Sequence, residues 1–363
     1  MNSLKKIRIQ GFKSIVDQEF EPGQVNVLIG ANGSGKTALL EAIGMLSAAI
    51  SGTVDNEALQ RRGVHLTTPQ LYKSSFKDVE NHQIGLSMQW QDENALWHYA
   101  VELENENSQG AWAYQAEHLK LNNELILQPQ HKDTDGTFPV KPQYTYEGAL
   151  SESKNVSVQG ISALLKTLKS YAIYTPITPM LRDLITDPRS FSEPFLGLSG
   201  NRLANAMQDL IDVENETYGY LDLDEVLDLL DWIDSIKVES QNADLPKILR
   251  FTELFMRKDN NMFTAHDASE GSLYVFFLLT LAMHPDAPLI FAVENFDQAL
   301  HPRLARALAK FFCMAIFGNP RQPIAFLTTH NPLVLDGLNL RDERVRLFAI
   351  DRDSKGYTTR VII

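Results

Sequence analysis

Residues 25–50, near the N-terminus, constrain the fold of this chain more than any other segment. A short apolar run formed by Val25, Val27, Leu28 and Ile29 ends at Gly30. After the segment GANGSGKT, apolar residues recur three and four positions apart, as on one face of a helix: Leu39, Leu40, Ile43 and Leu46. The pattern G-x-x-x-x-G-K-[ST] is matched without exception by Gly30, Gly35, Lys36 and Thr37. A strand, a glycine-rich loop and a helix in this order are the context that a phosphate-binding loop (P-loop) requires.

The residue types of this loop suit polyphosphate chemistry. Glycines let backbone N–H groups converge on phosphate oxygens, and the positive end of the following helix faces the anion. Lys36 adds a positive charge, and the Thr37 hydroxyl is a ligand for Mg²⁺. The loop therefore predicts binding of a nucleoside triphosphate, ATP, with Mg²⁺. The expected contacts are Asn32, Gly33, Ser34, Gly35, Lys36, Thr37 and Ala38.

Composition limits the class of protein and its partners. The longest apolar runs are too short to span a bilayer, the N-terminus lacks the apolar core of a signal peptide, and Cys313 is the only cysteine. These features predict a cytoplasmic protein without a disulfide, a thiolate metal cluster or a membrane partner. The net charge of −13 lowers the expectation that the main task is to hold duplex DNA, because phosphate neutralisation favours a basic surface. It leaves DNA binding open without implying it.

The order of patterns along the chain suggests three regions. Residues 1–150 begin with the alternating strand at Ile7, Ile9 and Phe12 and contain the P-loop. Between His82 and Leu127, alternating and aromatic-rich runs are separated by turn signals, which predicts an antiparallel meander. Residues 128–148 read as an exposed connection. Residues 151–260 are predicted to form a helical insertion, and residues 261–363 a C-terminal lobe that ends in a hairpin.

The middle region is acidic and is predicted to be helical over 157–185 and 201–236. From Asp209 to Glu239 there are eleven acidic residues against one basic residue, Lys237. An apolar stripe accompanies them, formed by Leu223, Val226, Leu227, Leu230 and Ile233. We favour a solvated acidic helix face here; a docking surface for a basic partner is the alternative.

Four features after residue 260 belong with the P-loop. Ser269 and Gly271 open a strongly apolar helix, where Ser269 can cap the first turn. The apolar strand 289–293 ends at Glu294, whose carboxylate can hold Mg²⁺. The strand 324–329 ends at His330, which can contact the γ-phosphate. The helically spaced Arg303, Arg306 and Lys310 are better explained as an exposed basic face.

This order of motifs resembles the ABC-type ATPase heads of the RecF, SMC and OLD families, including the compact AAA-family ATPases of bacterial defence operons. The resemblance covers about half of the chain, at both ends. It implies an α/β P-loop NTPase fold, with an ABC-ATPase-like mixed sheet, an antiparallel N-terminal meander and a helical insertion. It also implies a homodimer that sandwiches ATP, in which Ser269 and Gly271 of one subunit contact the nucleotide of the other. GFKSI resembles an element that places Lys13 and Ser14 near the phosphates.

The sequence departs from this family pattern at the catalytic carboxylates. Counting back from Leu300-His301-Pro302, Glu294 takes the place of the Mg²⁺-binding aspartate and Asn295 that of the general-base glutamate. An amide cannot take a proton from water at neutral pH, although it can orient the water by hydrogen bonding. Asp297 is the alternative base if the turn directs it inward. We therefore expect slow or partner-dependent hydrolysis, with Glu294, Asn295, Asp297 and His330 as the catalytic candidates.

Three functions are compatible with these motifs. The leading hypothesis is an ATP-binding switch that controls a separate effector, a nuclease or toxin, in anti-phage defence, because the chain itself carries no recognisable effector motif. The alternative is a RecF-like DNA repair or maintenance ATPase that closes on duplex DNA. A transporter ATPase is the weakest of the three, since it needs membrane partners.

Overall fold

The computed structural model describes residues 3–80, 83–92, 95–105, 110–127, 146–152, 161–184, 195–212, 214–239 and 247–362. The predicted exposed connection at 128–148 lies largely outside these residues. Strands in the N-terminal part are β1 (Ser3–Phe12), β2 (Ile15–Phe20), β3 (Val25–Ile29), β4 (Ser75–Phe76), β5 (Val79–Glu80), β6 (Gln83–Gln91), β7 (Leu96–Glu104), β8 (Ala113–Leu121) and β9 (Glu124–Leu127). The remaining strands are β10 (Ala172–Tyr174), β11 (Ile211–Asp212), β12 (Thr217–Tyr218), β13 (Leu221–Asp222), β14 (Ile233–Glu239), β15 (Ile248–Glu253), β16 (Met262–Thr264), β17 (Ile290–Val293), β18 (Ile324–Thr329), β19 (Val345–Arg352) and β20 (Thr358–Ile362).

The described helices are α1 (Lys36–Ser51), α2 (Asn56–Gln60), α3 (Pro69–Tyr72), α4 (Ala149–Glu152), α5 (Ile161–Lys169), α6 (Thr178–Leu181), α7 (Leu203–Gln208), α8 (Leu223–Asp228), α9 (Glu270–Met283) and α10 (Pro302–Gly318). A 3₁₀ helix spans Pro332–Gly337.

Two six-stranded sheets organise the molecule. The antiparallel sheet has the order β2-β1-β6-β7-β8-β9 and contains the predicted meander. The core sheet has the order β10-β17-β18-β3-β19-β20, in which the first five strands are parallel and β20 is the antiparallel edge. The predicted fold class, an α/β P-loop fold with a mixed sheet and an antiparallel N-terminal meander, is confirmed.

Each face of the core sheet carries its own hydrophobic core, because neighbouring residues of a strand point to opposite faces. In β17, Phe291 and Val293 pack with α9 and α10 on one side, whereas Ile290 and Ala292 pack with α1 on the other. Helix α1 lies between the two sheets and contacts both. This position buries fourteen of its sixteen residues, where the spacing predicted one apolar face.

The middle region differs from the prediction. Within the described part of 201–236, only α7 and α8 are helical, and each has six residues. The rest forms the small sheets β11-β12-β13 and β14-β15-β16. The apolar stripe from Leu223 to Ile233 is buried as expected, but Asp231 adopts a left-handed backbone (φ 56°) and strand β14 follows. The prediction of a continuous helix was therefore wrong.

The region 157–185 was also only partly helical. Helix α5 ends at Lys169, and the next apolar residues form β10, a parallel edge strand of the core sheet. Residues 157–160 and 185 of this predicted helical region lie outside the described part of the chain.

Candidate functional site

The P-loop connects the carboxyl end of β3 to the first residue of α1. Gly33 and Gly35 have left-handed backbones, with φ of 75° and 113°. A Cβ on Gly35 would lie 2.2 Å from Oγ1 of Thr358, so glycine is required there for packing as well as for conformation. A Cβ on Gly33 would meet no atom within 4 Å, and the loop is therefore open to a ligand at Gly33.

Two polar groups of this loop fit a bound polyphosphate. The ammonium of Lys36 donates to the carbonyl oxygens of Gly30 (2.7 Å) and Ala31 (2.8 Å), which stand in for phosphate oxygens. Burial lowers the pKa of Lys36, and the nearby Glu294 carboxylate opposes that shift. The hydroxyl of Ser34 is buried and has no hydrogen-bond partner among the described residues, a cost that a phosphate acceptor would remove.

The P-loop meets the end of β17 through Thr37 and Glu294. The Thr37 hydroxyl donates to Oε1 of Glu294, so the two predicted Mg²⁺ ligands converge on one point. Hydroxyl and carboxylate oxygens are the hard ligands that Mg²⁺ prefers, together with waters and substrate phosphates. Among the described residues no group of three or more His, Cys, Asp and Glu side chains could hold a metal by itself. The pair fits a Mg²⁺ that is shared with a nucleotide.

The loop after β17 positions the two candidate general bases differently. Asn295 has a left-handed backbone (φ 55°), its N–H donates to Oγ1 of Thr328 (2.9 Å), and its carbonyl accepts from the Tyr274 hydroxyl (2.8 Å). Within the described part of the chain, the Asn295 side-chain amide makes no hydrogen bond. Asp297 accepts from the Thr329 hydroxyl at 2.6 Å and is thereby held at the end of β18. The amide is thus the unengaged group next to Glu294.

His330 follows β18 and reaches the P-loop. Its Nδ1 lies 3.0 Å from the carbonyl oxygen of Gly30. A carbonyl oxygen can only accept, so Nδ1 carries the proton. The exposed ring then presents Nε2 as an acceptor in the neutral form. The structure thus brings together Lys36, Thr37, Glu294 and His330.

The predicted second anion site lies at the start of α9. Ser269 caps this helix by accepting from the Ser272 N–H at 3.2 Å. A Cβ on Gly271 would lie 3.1 Å from the carbonyl oxygen of Ala299, so the helix start packs closely against the loop after β17. Neither residue forms a hydrogen bond to the P-loop of its own chain in the regions that the structure describes.

Lys13 and Ser14, which belong to the N-terminal segment GFKSI, lie in two different environments. Ser14 lies beside the P-loop, because the Thr358 hydroxyl donates to the carbonyl of Ser34 (2.9 Å) and its Oγ1 is 2.7 Å from the Ser14 hydroxyl, with which it shares a hydrogen bond. The ammonium of Lys13 instead pairs with the buried carboxylate of Glu41 on α1. That carboxylate also accepts from the His65 backbone N–H at 3.1 Å. The structure therefore brings Ser14, and not the charge of Lys13, to the P-loop.

Several residues at this site had no recognisable signal in the sequence. Thr358 and Arg352 come from the C-terminal hairpin, and Arg352 donates from Nε to the carbonyl of Gly33 at 2.7 Å. Thr328 and Thr329 hold the loop after β17, and Tyr274 holds it from α9. These contacts join segments far apart in the chain, and only the fold reveals them. Of the predicted loop residues, Asn32 is exposed and Ala38 is buried in α1.

Two family models match the sequence of this chain. A family model described as "AAA domain, putative AbiEii toxin, Type IV TA system" matches residues 165–336, and a second, described as "AAA domain", matches residues 6–177. Each spans slightly less than half of the chain. Among curated proteins, none matches the sequence.

Solved structures with the same fold include two SMC heads. The SMC head domain from Thermotoga maritima has 13% sequence identity and a TM-score of 0.50, and the match covers 99% of this chain and 98% of that one. The Smc head domain with an extended coiled coil from Pyrococcus furiosus, bound to the C-terminal domain of ScpA, has 12% identity and a TM-score of 0.52, covering 100% and 96%. In the described residues, no helix combines the length and the apolar character needed to cross a bilayer. The chain has the P-loop ATPase fold of an SMC head, and its sequence is similar to two AAA-domain families.

Proposed function

We propose that this chain is a slow ATPase that binds Mg²⁺ and ATP at the P-loop, closes as a homodimer around the nucleotide and thereby controls a separate effector protein. Binding of Mg²⁺ and ATP is supported mainly by the contact between Thr37 and Glu294, which lies beside the Lys36 ammonium. In this arrangement Lys36 binds phosphate oxygens, and Thr37 and Glu294 hold Mg²⁺. When bound, Mg²⁺ would neutralise part of the negative charge of the ATP phosphates.

Slow hydrolysis follows from the chemistry of the loop after β17. Asn295 can orient a water molecule through its amide but cannot accept the proton, and general-base catalysis contributes about 10²–10⁴-fold to a rate. Asp297 carries a base of the right type, but the hydroxyl of Thr329 already donates to it. With an amide in place of a carboxylate next to Glu294, hydrolysis should be slower than at a site with a general base at that position.

A homodimer is supported by the absence, among the described residues, of a hydrogen bond from Ser269 or Gly271 to the P-loop of the same chain. A second copy would bring these residues to the nucleotide, as the resemblance to ABC-type heads implies. Control of a separate effector protein is supported by two comparisons. One matching family carries a toxin–antitoxin description, and one of the similar SMC heads is bound to another protein, ScpA. We extend this to control of a nuclease or toxin in anti-phage defence.

The alternative, an ATPase that closes on duplex DNA, lacks a comparable observation. The basic residues Lys6 and Arg8 on the outer face of β1 are paired with Glu19 and Asp17 on β2, so their charge is largely neutralised. Stimulation of hydrolysis by duplex DNA at physiological salt would nevertheless favour that alternative over an effector switch.

Steady-state hydrolysis tests the slow-ATPase proposal. Purified chain is incubated with ATP and Mg²⁺, and Lys36→Ala provides the blank. We expect turnover close to that blank, together with binding of a fluorescent ATP analogue that Lys36→Ala loses. Turnover well above the blank would contradict slow hydrolysis and make Asp297 the general base. Absence of nucleotide binding would contradict the whole proposal.

A further inference from the structure

A large cleft lies at the end of the core sheet opposite the P-loop. Its volume is about 1100 Å³, and its lining includes Ala172 at the start of β10 and Leu289 just before β17. The P-loop follows β3 and Glu294 follows β17, both at the carboxyl ends of these parallel strands, whereas the cleft lies at the amino ends. Strands of four to six residues separate the two ends by roughly 13–20 Å. The cleft is therefore distinct from the nucleotide site and stays open if a second chain covers the P-loop edge.

The charge of the cleft is opposite to that of the whole chain. Five basic side chains line it, against three acidic ones. The basic residues are Arg61, Arg62, Lys166, Lys169 and Arg321. The chain has a net charge of −13, so this surface is a local inversion of sign. Such an inversion favours an acidic partner over a basic one.

Much of the acidic charge in the cleft is already engaged. Glu57 pairs with Arg61 one helical turn away, and Asp55 caps α2 by accepting from the Ala58 N–H at 2.7 Å. Lys166 and Lys169 lie three positions apart on α5, and neither forms an ion pair with any described residue. The α5 wall therefore carries two positive charges that a ligand can pair.

Arg62 adds a buried positive charge behind this wall. Its guanidinium donates to the backbone carbonyls of Ser47, Ala58 and Lys169 and to two serine hydroxyls, all of which are neutral. With no carboxylate bonded to it, Arg62 keeps the local potential positive. Because most of its N–H groups are occupied, it does not itself form a fork for a small anion.

Another part of the lining is largely apolar, formed by Phe195, Leu198, Pro285, Ala287 and Pro288, and it also includes the carboxylate of Asp286. Pockets for small molecules usually enclose about 300–1,000 Å³ and present a few convergent polar groups. Here the cations are spread over separate elements, and an apolar wall runs beside them. This combination suits an extended chain with carboxylates on one side and apolar side chains on the other.

We propose that this cleft binds an acidic, amphipathic peptide segment of a partner protein, with its carboxylates against Lys166 and Lys169 and its apolar side chains against the wall around Phe195. This inference rests on the proposed function in one respect: the partner protein that carries the peptide segment is taken to be the controlled effector. Binding is measured without ATP, so its failure and a failure of the nucleotide proposal are separate results.

The probe is a fluorescein-labelled twelve-residue peptide of alternating Glu and Leu, whose binding to the full chain is followed by fluorescence anisotropy. The double variant Lys166→Glu, Lys169→Glu should weaken binding by about tenfold or more, since it replaces attraction with repulsion. The matched control is Lys5→Glu, Lys310→Glu, which makes the same charge change at two exposed lysines outside the cleft. We expect the control to change affinity by less than about twofold.

Two further measurements distinguish an amphipathic peptide from other ligands of the cleft. A Leu-to-Ser version of the peptide should bind about tenfold more weakly, because it cannot use the apolar wall. Sodium tripolyphosphate at matched ionic strength should not displace the peptide. Equal losses in the cleft and control variants, no loss with the Ser peptide, or displacement by tripolyphosphate would each overturn the proposal, the last in favour of a small-anion site. No binding of the Leu peptide to the wild-type chain would overturn it as well.

Discussion

The hydroxyl of Tyr274 donates a 2.8 Å hydrogen bond to the backbone carbonyl of Asn295. Tyr274 lies one turn into α9, the helix that Ser269 caps, and Asn295 directly follows the carboxylate that contacts Thr37. Only 1% of Tyr274 is exposed, so no solvent can replace this bond. The start of α9 and the candidate hydrolysis loop are thus mechanically joined within one subunit.

Removal of this hydroxyl tests that connection. Tyr274→Phe leaves the buried carbonyl of Asn295 without this donor, and the free energy of unfolding should fall by about 1–3 kcal/mol. ATP affinity should stay the same, because Tyr274 does not contact the P-loop, whereas hydrolysis of bound ATP in a single turnover should slow by about fivefold or more.

The control for this variant is Tyr218→Phe. Tyr218 is also buried and shares a hydrogen bond with Thr280 on α9, away from the loop after β17. The Tyr218→Phe variant should lose a comparable amount of stability, measured by urea unfolding, without a change in the single-turnover rate. Equal effects of both variants on the rate would show that Tyr274 acts only through stability.

Asn295→Glu tests whether a missing general base limits hydrolysis. A carboxylate at this position can take a proton from water, and kcat should rise by about 100-fold. Asn adopts the left-handed backbone seen here at a lower cost than Glu, so the free energy of unfolding should fall by about 1–2 kcal/mol. Asn295→Gln, which adds the same methylene without a base, is the control. Equal turnover in the Glu and Gln variants would indicate that Asp297 or another group is the base.

Arg62 is predicted to be important for stability. The backbone oxygens that it binds belong to Ser47, Ala58 and Lys169, which lie near the carboxyl ends of α1, α2 and α5. A cation at these helix ends offsets the negative ends of three helix dipoles. Burial lowers the pKa of Arg62 to about 10, so it remains charged at neutral pH.

Arg62→Ala should therefore lower the free energy of unfolding by about 3–5 kcal/mol, because several buried carbonyl and hydroxyl oxygens lose their donor and each unsatisfied buried group costs about 1–3 kcal/mol. Its neighbour Arg61 is exposed and, among the described residues, pairs with Glu57 alone, so Arg61→Ala should cost about 0.5 kcal/mol or less. Chemical denaturation of both variants measures the difference. Similar losses would mean that the buried network contributes little.

Glu117 should make stability depend on pH. Burial raises the pKa of this carboxyl, although the Tyr99 hydroxyl and the Ala149 N–H donate to it and oppose the shift. The folded state then binds a proton more readily than the unfolded state. Stability is fully present at pH values below the ordinary pKa of a glutamate and is lost as pH rises through the raised pKa.

The comparison that isolates this effect is with Glu117→Gln, which cannot titrate. The difference in the free energy of unfolding between the two proteins should shift in favour of Glu117→Gln as pH rises from about 4.5 into the neutral range. A difference that stays constant across this range would contradict a raised pKa for Glu117.

The parts of the fold that the sequence predicted are those encoded by local patterns. The P-loop, the meander and the C-terminal hairpin each depend on spacing within a few residues, and all three are present. The apolar stripe from Leu223 to Ile233 correctly predicted burial. It did not predict secondary structure, because spacings of three and four are also produced by a short helix, a left-handed residue and a strand in succession.

The parts that the sequence could not predict depend on distant segments. Strand β10 has only three residues, and its pairing with β17 joins positions more than a hundred residues apart. The pairing of Lys13 with Glu41, in place of a position at the P-loop, follows from how β1 packs on α1. The contacts of Thr358 with Ser14 and Ser34 likewise arise only when the C-terminal hairpin closes the core sheet.

We propose that ATP closes two copies of this chain into a stable dimer. Sedimentation velocity of the wild-type chain with Mg²⁺ and no nucleotide, ADP or ATP tests it most directly, with Lys36→Ala and Ser269→Arg as controls. We predict a monomer without nucleotide and with ADP, a species of twice the mass with ATP, and no such species for either variant. A mass that does not respond to ATP, whether monomeric or dimeric in every condition, would contradict the account.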